Sequence, residues 1–443
     1  MFGKFSQSLL ILKLGDAIFE FARLLKRDLK NIAPRLTTEQ GRTLAEAEHD
    51  VRKGIQLVEH SLAASTLLKG EFVPGVTPGV DAHTVRLPLG VTAGITPFNS
   101  PVQIPLWLLP ISLICGIQLN IGYRQWDGSR NTVVLKPSSQ CPGPTAMVVE
   151  LTKEAGLPDG AVNLVHGRQP AVDVLCDHPD VKAVSFVGCN EPGAYISARA
   201  RASGKRVQCN LVGKGHGVLL PDANKDFSLD QIVIGAFGGA GQRCMAVCVL
   251  LLVGETSDWL PELIRRAERL RVNAGWESEV DYGPMISSAA KERVCRIVDK
   301  AVRDGATLAL DGRSLVVKGY ERGHFLGPTI LTDVTTDMEE EIFGPVLCVF
   351  RLDSLDEAID MINANPYGNS TAVFTNCAAS AKRFVDNVQV GQVGVNVPYP
   401  QPPGFMSFTG NKQSFIGELQ FHGETGFHFN TQVKTVMQTW PGP

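Results

Sequence analysis

Between Asn131 and Val212 short apolar, β-branched runs alternate with helical stretches, and this alternation limits the possible folds more than any other feature. Thr132–Lys136, Ala161–Val165, Val181–Val187 and Arg206–Val212 read as strands. Gly143–Ala155, Ala171–Cys176 and Glu191–Ser203 read as helices. Strand–helix–strand repeats of this length make a parallel sheet with crossover helices, because parallel strands cannot be joined by tight turns. A second set follows Cys244. Cys248–Val253, Pro328–Leu331 and Val346–Phe350 are extended, and Trp259–Leu270 and Ala289–Asp304 are helical. Upstream, Ile18–Leu68 has helical periodicity, Thr84–Leu87 and Val91–Ile95 are short strands, and Pro88 and Gly90 form a turn. The pattern predicts an α/β protein of two lobes with a junction near Val212–Gly235. Ligands of such sheets bind at the carboxyl ends of strands and between lobes.

Composition narrows the partners. A net charge of −3 over 443 residues suggests no polyanionic partner such as nucleic acid. The ten cysteines include no C-x-x-C pair, which indicates reduced thiols rather than a disulfide framework or zinc ribbon. No metal-ligand set is expected. The apolar stretch Ile104–Ile121 is interrupted by Pro105 and Pro110 and carries Gln118 and Asn120, so it reads as a buried helix, not a membrane span. The opening, MFGKFSQSLLILKL, reads as the first amphipathic helix, with the remnant of a targeting segment as the alternative.

Gly235-Ala-Phe-Gly-Gly-Ala-Gly-Gln-Arg-Cys244 brings a flexible backbone to a thiol beside the cation Arg243, and such a cation favours the reactive thiolate. An inert cysteine in a tight turn is the alternative. Asn99, between Pro97 and Pro101, can present a fixed amide to a developing oxyanion or be an ordinary turn residue. Ser185–Gly188, followed by Gly193, forms a strand–glycine–helix junction of the kind a dinucleotide approaches, although the spacing is not G-x-G-x-x-G. Lys136-Pro137-Ser138 supplies a cation and hydroxyl, or else a solvated strand end. The carboxylates of Glu340-Glu341-Ile342-Phe343-Gly344-Pro345 suit ribose hydroxyls, or else close a charged helix end.

In order and spacing these segments resemble the aldehyde dehydrogenases from about Leu24 to Trp440, and within them the acylating methylmalonate-semialdehyde group. Ile104–Trp107, Gly238–Ala246, Gly391–Val397 and above all Phe405-Met-Ser-Phe-Thr-Gly-Asn-Lys-Gln-Ser-Phe415 carry the likeness. The resemblance implies two Rossmann-like parallel-sheet lobes plus a small oligomerisation element. Residues 1–215 would form an NAD-binding domain and 216–425 a catalytic domain. Segments 78–92 and 426–443 would pair across subunits of a homodimer or homotetramer. It also implies Cys244 as nucleophile, with Asn99 and the Cys244 N–H holding the oxyanion. NAD would be bound by Thr96, Phe98, Lys136, Ser139, Gly188, Cys189, Glu341 and Phe343, and coenzyme A would be the co-substrate. A substrate carboxylate would meet Arg243 and Lys53, which takes the place of a helix arginine, with Arg52 beside it. For a eukaryotic source the resemblance implies the mitochondrial matrix, where the Asn369-Ser370-Thr371 sequon is irrelevant; otherwise the cytoplasm is expected.

Asn210 stands where hydrolytic relatives have a water-activating glutamate. An amide cannot take a proton from water at neutral pH, so a thioester would wait for the coenzyme A thiol. Other positions depart from the family. Ile117–Arg130 is an insertion containing Trp126, Ser139 replaces a ribose-binding glutamate, Cys189 replaces a serine, and Val212 replaces a small residue. The family's opening segment and a few residues before Glu340 are missing. Two other functions therefore stay open: a hydrolytic aldehyde dehydrogenase, and a weakly catalytic paralogue that binds nucleotide or assembles with active subunits.

Overall fold

The computed structural model describes residues 8–116, 131–334 and 340–440. The insertion expected over Ile117–Arg130 lies outside the described residues, as does the end of the apolar stretch beyond Gly116.

Two helices, Ser8–Gln40 and Leu44–Ser61, pack against each other and against a third, Gln103–Cys115. Their shared core joins Phe21, Leu25, Val51, Val58, Leu106 and Leu109 to Val133 and Leu135 of the first sheet. All thirteen residues of Gln103–Cys115 are buried. It is therefore an all-round apolar core helix, too short for the roughly 20 residues a membrane span needs. Among the described residues no helix is long and apolar enough to cross a membrane.

The first two helices are separated by Gly41, in the left-handed region at φ 94°. Thr43 then starts the second helix with a capping box: its hydroxyl accepts from the Glu46 N–H, and the Glu46 carboxylate accepts from the Thr43 N–H. This turn is held by the other lobe. Leu44 N–H donates to the Gly275 carbonyl at 2.9 Å, and a Cβ on Gly275 would lie 2.0 Å from the Arg42 carbonyl oxygen.

The first sheet has six strands. Val162–Leu164, Thr132–Lys136, Val91–Ile95, Val181–Val187 and Arg206–Asn210 run parallel in that spatial order, and Phe415–Ile416 closes the edge antiparallel to Cys209–Asn210. The second sheet has seven strands. Gly215–Leu219 and Val247–Val253 are central, flanked by Val346–Leu352 and Thr329–Thr332 on one side and by Ser370–Phe374 and Gln392–Val395 on the other. Thr307–Leu310 is antiparallel at its edge. The chain crosses between the sheets at residues 211–214, close to the expected junction.

A third, antiparallel sheet consists of Phe72–Thr77, Val80–Pro88 and Thr431–Thr439. The C-terminal strand pairs in continuous register with Val80–Pro88 of its own chain, from Thr431 opposite Pro88 to Thr439 opposite Val80. Val80–Pro88 is the central strand, so Phe72–Thr77 and Thr431–Thr439 form the two edges of this sheet, each paired on one side only.

Candidate active site

Cys244 follows a one-turn 3-10 segment, Gly238–Gly241, in which Gly239, Ala240 and Gly241 all have positive φ (60°, 56° and 66°). Three successive left-handed residues reverse the chain sharply, and Ala240 adopts this conformation at a cost in strain. Neighbouring glycines permit the approach: a Cβ on Gly241 would lie 2.1 Å from the Gly344 carbonyl, and one on Gly213 would lie 2.1 Å from the Cys244 carbonyl. Asn369, from the strand Ser370–Phe374 side, donates its amide to the Cys244 carbonyl at 3.0 Å and receives the Asn210 amide at 3.4 Å.

Two cavities meet at this cysteine. The smaller, about 280 Å³, is lined by Arg42, Glu46, His49, Asp50, Trp107, Arg243 and Tyr399, with Asn99 and Cys244. The larger, about 560 Å³, lies at the carboxyl ends of the first sheet's strands. Asn99 and Cys244 belong to its wall too, with Phe98, Gly188, Cys189, Asn210, Val212, Glu341 and Phe343. Asn99 is buried and makes no side-chain hydrogen bond to another described residue, so its amide is available at the wall common to both.

Burial dominates the electrostatics. It pushes the Cys244 thiol up to about 12, with the neighbouring Glu341 carboxylate adding to the rise; an Asn369 hydrogen bond and the Arg42 charge oppose it. The Arg243 guanidinium pairs with Glu46 through Nη2 at 2.6 Å and stacks on Tyr399 at 4.9 Å, while Nη1 has no partner. Glu341 is itself pushed up to about 8 by burial, against a hydrogen bond from Gly213 N–H at 3.1 Å.

The other expected residues divide. Phe98 and Phe343 meet edge-to-face at 6.0 Å at the larger cavity, with Phe343 in the left-handed region. Thr96 is buried and its hydroxyl has no partner. Lys136 does not reach the cavity: its ammonium donates to the carbonyls of Pro137 at 2.7 Å and Gly167 at 3.3 Å. Ser139 lies exposed in a turn outside the lining. Gly188 and Gly193 serve packing, since Cβ atoms there would run into the Phe186 ring (2.5 Å) and Leu211 (2.2 Å). Arg52 is corrected as a candidate for the smaller cavity: it is exposed and bonds Glu48 at 3.2 Å, while half-buried Lys53 lies outside the lining.

Sequence reasoning passed over Asn369 except as a sequon, and missed Arg42, Glu46 and Asp50 altogether. Asp50 accepts from the N–H groups of Val102 and Gln103, both at 3.2 Å, and so caps the buried helix that otherwise lacks a side-chain cap. The helical spacing of Glu46, His49 and Asp50 gave a faint signal for a shared face; Arg42 and Asn369 gave none.

Residues 11–436 match the family model described as the aldehyde dehydrogenase family. A bovine (Bos taurus) mitochondrial methylmalonate-semialdehyde/malonate-semialdehyde dehydrogenase [acylating] is 49% identical over 97% of this chain and 78% of its own length. A probable enzyme of the same description from Caenorhabditis elegans is 50% identical over 96% and 79%. Among solved structures, a methylmalonate-semialdehyde dehydrogenase from Oceanimonas doudoroffii superposes with a TM-score of 0.93 at 39% identity, covering 98% of this chain and 87% of that one. One described as a putative methylmalonate-semialdehyde dehydrogenase from Sinorhizobium meliloti 1021, complexed with NAD, also has a TM-score of 0.93, at 36% identity over 99% and 88%. With its fold and nearly its whole length shared with these proteins, the chain belongs to the aldehyde dehydrogenase family.

Proposed function

We propose that this chain oxidises malonate semialdehyde or methylmalonate semialdehyde, with loss of carbon dioxide, and passes the resulting acetyl or propionyl group to coenzyme A. The observation that carries the reading is the shared wall: Cys244 and Asn99 border both the small polar cavity and the larger one at the strand ends. The larger cavity fits the nicotinamide end of NAD, because parallel strands end there and the Phe98 and Phe343 rings and the Glu341 carboxyl line it. NAD, when bound there, accepts the hydride that the aldehyde carbon loses.

Cys244 forms a bond from sulfur to the aldehyde carbon, and its thiol proton must leave as it does so. The carbonyl oxygen takes the negative charge, met by the Asn99 amide and the Cys244 N–H. The acyl group is then held as a thioester on Cys244. With a carboxylate β to the thioester carbonyl, breaking the carbon–carbon bond to release carbon dioxide sends its electron pair into that carbonyl. The same two donors stabilise the enolate until its carbon takes a proton from solvent. Asn210 supplies no base for water, and the coenzyme A thiol completes the transfer.

NADH formation from malonate semialdehyde, followed with and without coenzyme A and with Cys244→Ala as control, tests the reading. Sustained turnover that needs both coenzyme A and Cys244 is expected; sustained turnover without coenzyme A refutes it. The engaged Lys136 ammonium and the exposed Ser139 favour a second reading, a weakly catalytic assembly partner, and calorimetric NAD binding separates the two. Exposed Phe72, Val73, Val433, Met437 and Trp440 on the antiparallel sheet support a homo-oligomer. The mitochondrial relatives support the matrix as location for a eukaryotic source.

A further inference from the structure

We propose that Arg42 is the second cation contacting the substrate carboxylate, facing Arg243 across the smaller cavity; the proposal rests on the carboxylated substrate argued above. Arg42 sits in the turn clamped between the lobes, and its side chain is only 7% exposed. It lines the cavity together with Cys244 and Asn99. Its Nε has no hydrogen-bond partner, and neither do Nη1 of Arg243 and Nε1 of Trp107, two other residues of the same lining. Three buried N–H donors without acceptors around one small cavity are costly unless a ligand supplies the acceptor. A carboxylate, with two oxygens and about four lone-pair positions, matches that set.

Neither carboxylate near Arg42 fills this role: Glu46 is taken up by Nη2 of Arg243 at 2.6 Å. Oδ1 of Asp50 lies 3.7 Å from Nη1, longer than a hydrogen bond, and is without a hydrogen-bond partner, while Oδ2 accepts from two backbone N–H groups. The two guanidiniums approach each other beside Gly239: a Cβ there would lie 3.6 Å from Nε of Arg42 and 3.4 Å from Nε of Arg243, with Oε1 of Glu46 at 3.7 Å. Arg42 also opposes the upward shift of the Cys244 thiol, so its charge is felt at the reacting sulfur. Arg52 faces solvent and Lys53 stands outside the lining, which leaves Arg42 as the cation placed to complete the pair.

The test compares alkylation of Cys244 by anionic iodoacetate and neutral iodoacetamide in the full chain, read on the Cys244 peptide by mass spectrometry. Wild type is expected to favour iodoacetate. The double variant Arg42→Gln/Asp50→Asn, which removes both buried charges and keeps an amide acceptor for the helix, should lower the iodoacetate-to-iodoacetamide ratio about tenfold or more. Arg42→Lys, which keeps charge without the fork, should give a smaller fall. No preference in wild type, or a ratio unchanged in both variants, overturns the proposal. In parallel, kcat/KM for malonate semialdehyde and propanal is measured. If wild type favours iodoacetate yet shows no preference for the carboxylated aldehyde, the substrate reading fails and the anion site stands. If the aldehyde preference survives both substitutions, the Arg42 assignment fails and the substrate reading stands.

Discussion

Replacing Asn210 by glutamate should convert a transferase into a hydrolase. Asn210 is fully buried at the end of its strand, with its amide nitrogen 3.4 Å from Asn369 and its carbonyl oxygen without a partner, in the wall of the cavity that also holds Cys244. A glutamate adds one methylene to a closely packed site, which costs about 1–3 kcal/mol. Burial would raise the new carboxyl's pKa, as it does for Glu341 in the same wall, pushed up to about 8. A base titrating close to the working pH is well placed to take a proton from water, an effect worth about 10²–10⁴-fold. The assay is stopped-flow NADH formation from malonate semialdehyde without coenzyme A. Wild type should release about one NADH per Cys244 in a burst and then nearly stop, whereas Asn210→Glu should continue at least about 10²-fold above that residual rate, increasingly so toward pH 8. Asn210→Gln, equal in length and without a base, should behave as wild type. The reasoning is refuted if wild type turns over freely without coenzyme A, or if Asn210→Glu gives a full burst and then stalls like Asn210→Gln.

Two further outcomes test the electrostatics. The folded-state pKa of Glu341 is raised by burial from the usual 4.5 to about 8. The native state therefore holds a proton that the unfolded chain releases between those values. The neutral carboxyl's contribution is fully present below pH 4.5 and is lost as pH rises through about 8. Glu341→Gln should raise the melting temperature relative to wild type more at pH 9 than at pH 6; a difference that is flat or reversed with pH contradicts the buried carboxyl. Asp50→Ala leaves the N–H groups of Val102 and Gln103 without their acceptor and the buried Arg42 without its ion-pair partner, a loss of about 3–5 kcal/mol. Its first urea transition should move to lower concentration, with Asp50→Asn losing less because the amide oxygen still accepts; equal midpoints for Asp50→Ala and wild type count against this cap.

The sequence by itself determined what depends on local pattern. Runs such as Val181–Val187 and Val346–Phe350 are apolar enough to be buried on both faces, and the helices between them are long enough to cross over, so parallel strands in two lobes were legible. The glycine approach to Cys244 was legible for a similar reason, because left-handed backbone needs glycine and the nucleophile must be exposed to a cavity. The tertiary structure decided what depends on chain segments far apart. Short polar-flanked strands such as Gly215–Leu219 and Phe415–Ile416 gave little signal because their sheet neighbours stabilise them. Asn369 reaches Cys244 across 125 residues of chain and Asn210 across 159, and nothing in its own neighbourhood marks that contact. Which cation faces the cavity was also settled by packing. Glu46, His49 and Asp50 share the inward face of their helix, Arg52 points away to Glu48, and the Gly41–Thr43 turn, held against Gly275, brings Arg42 inside. Sequence spacing tells which residues share a helix face, but only the second lobe closing over that face decides which of them line the cavity.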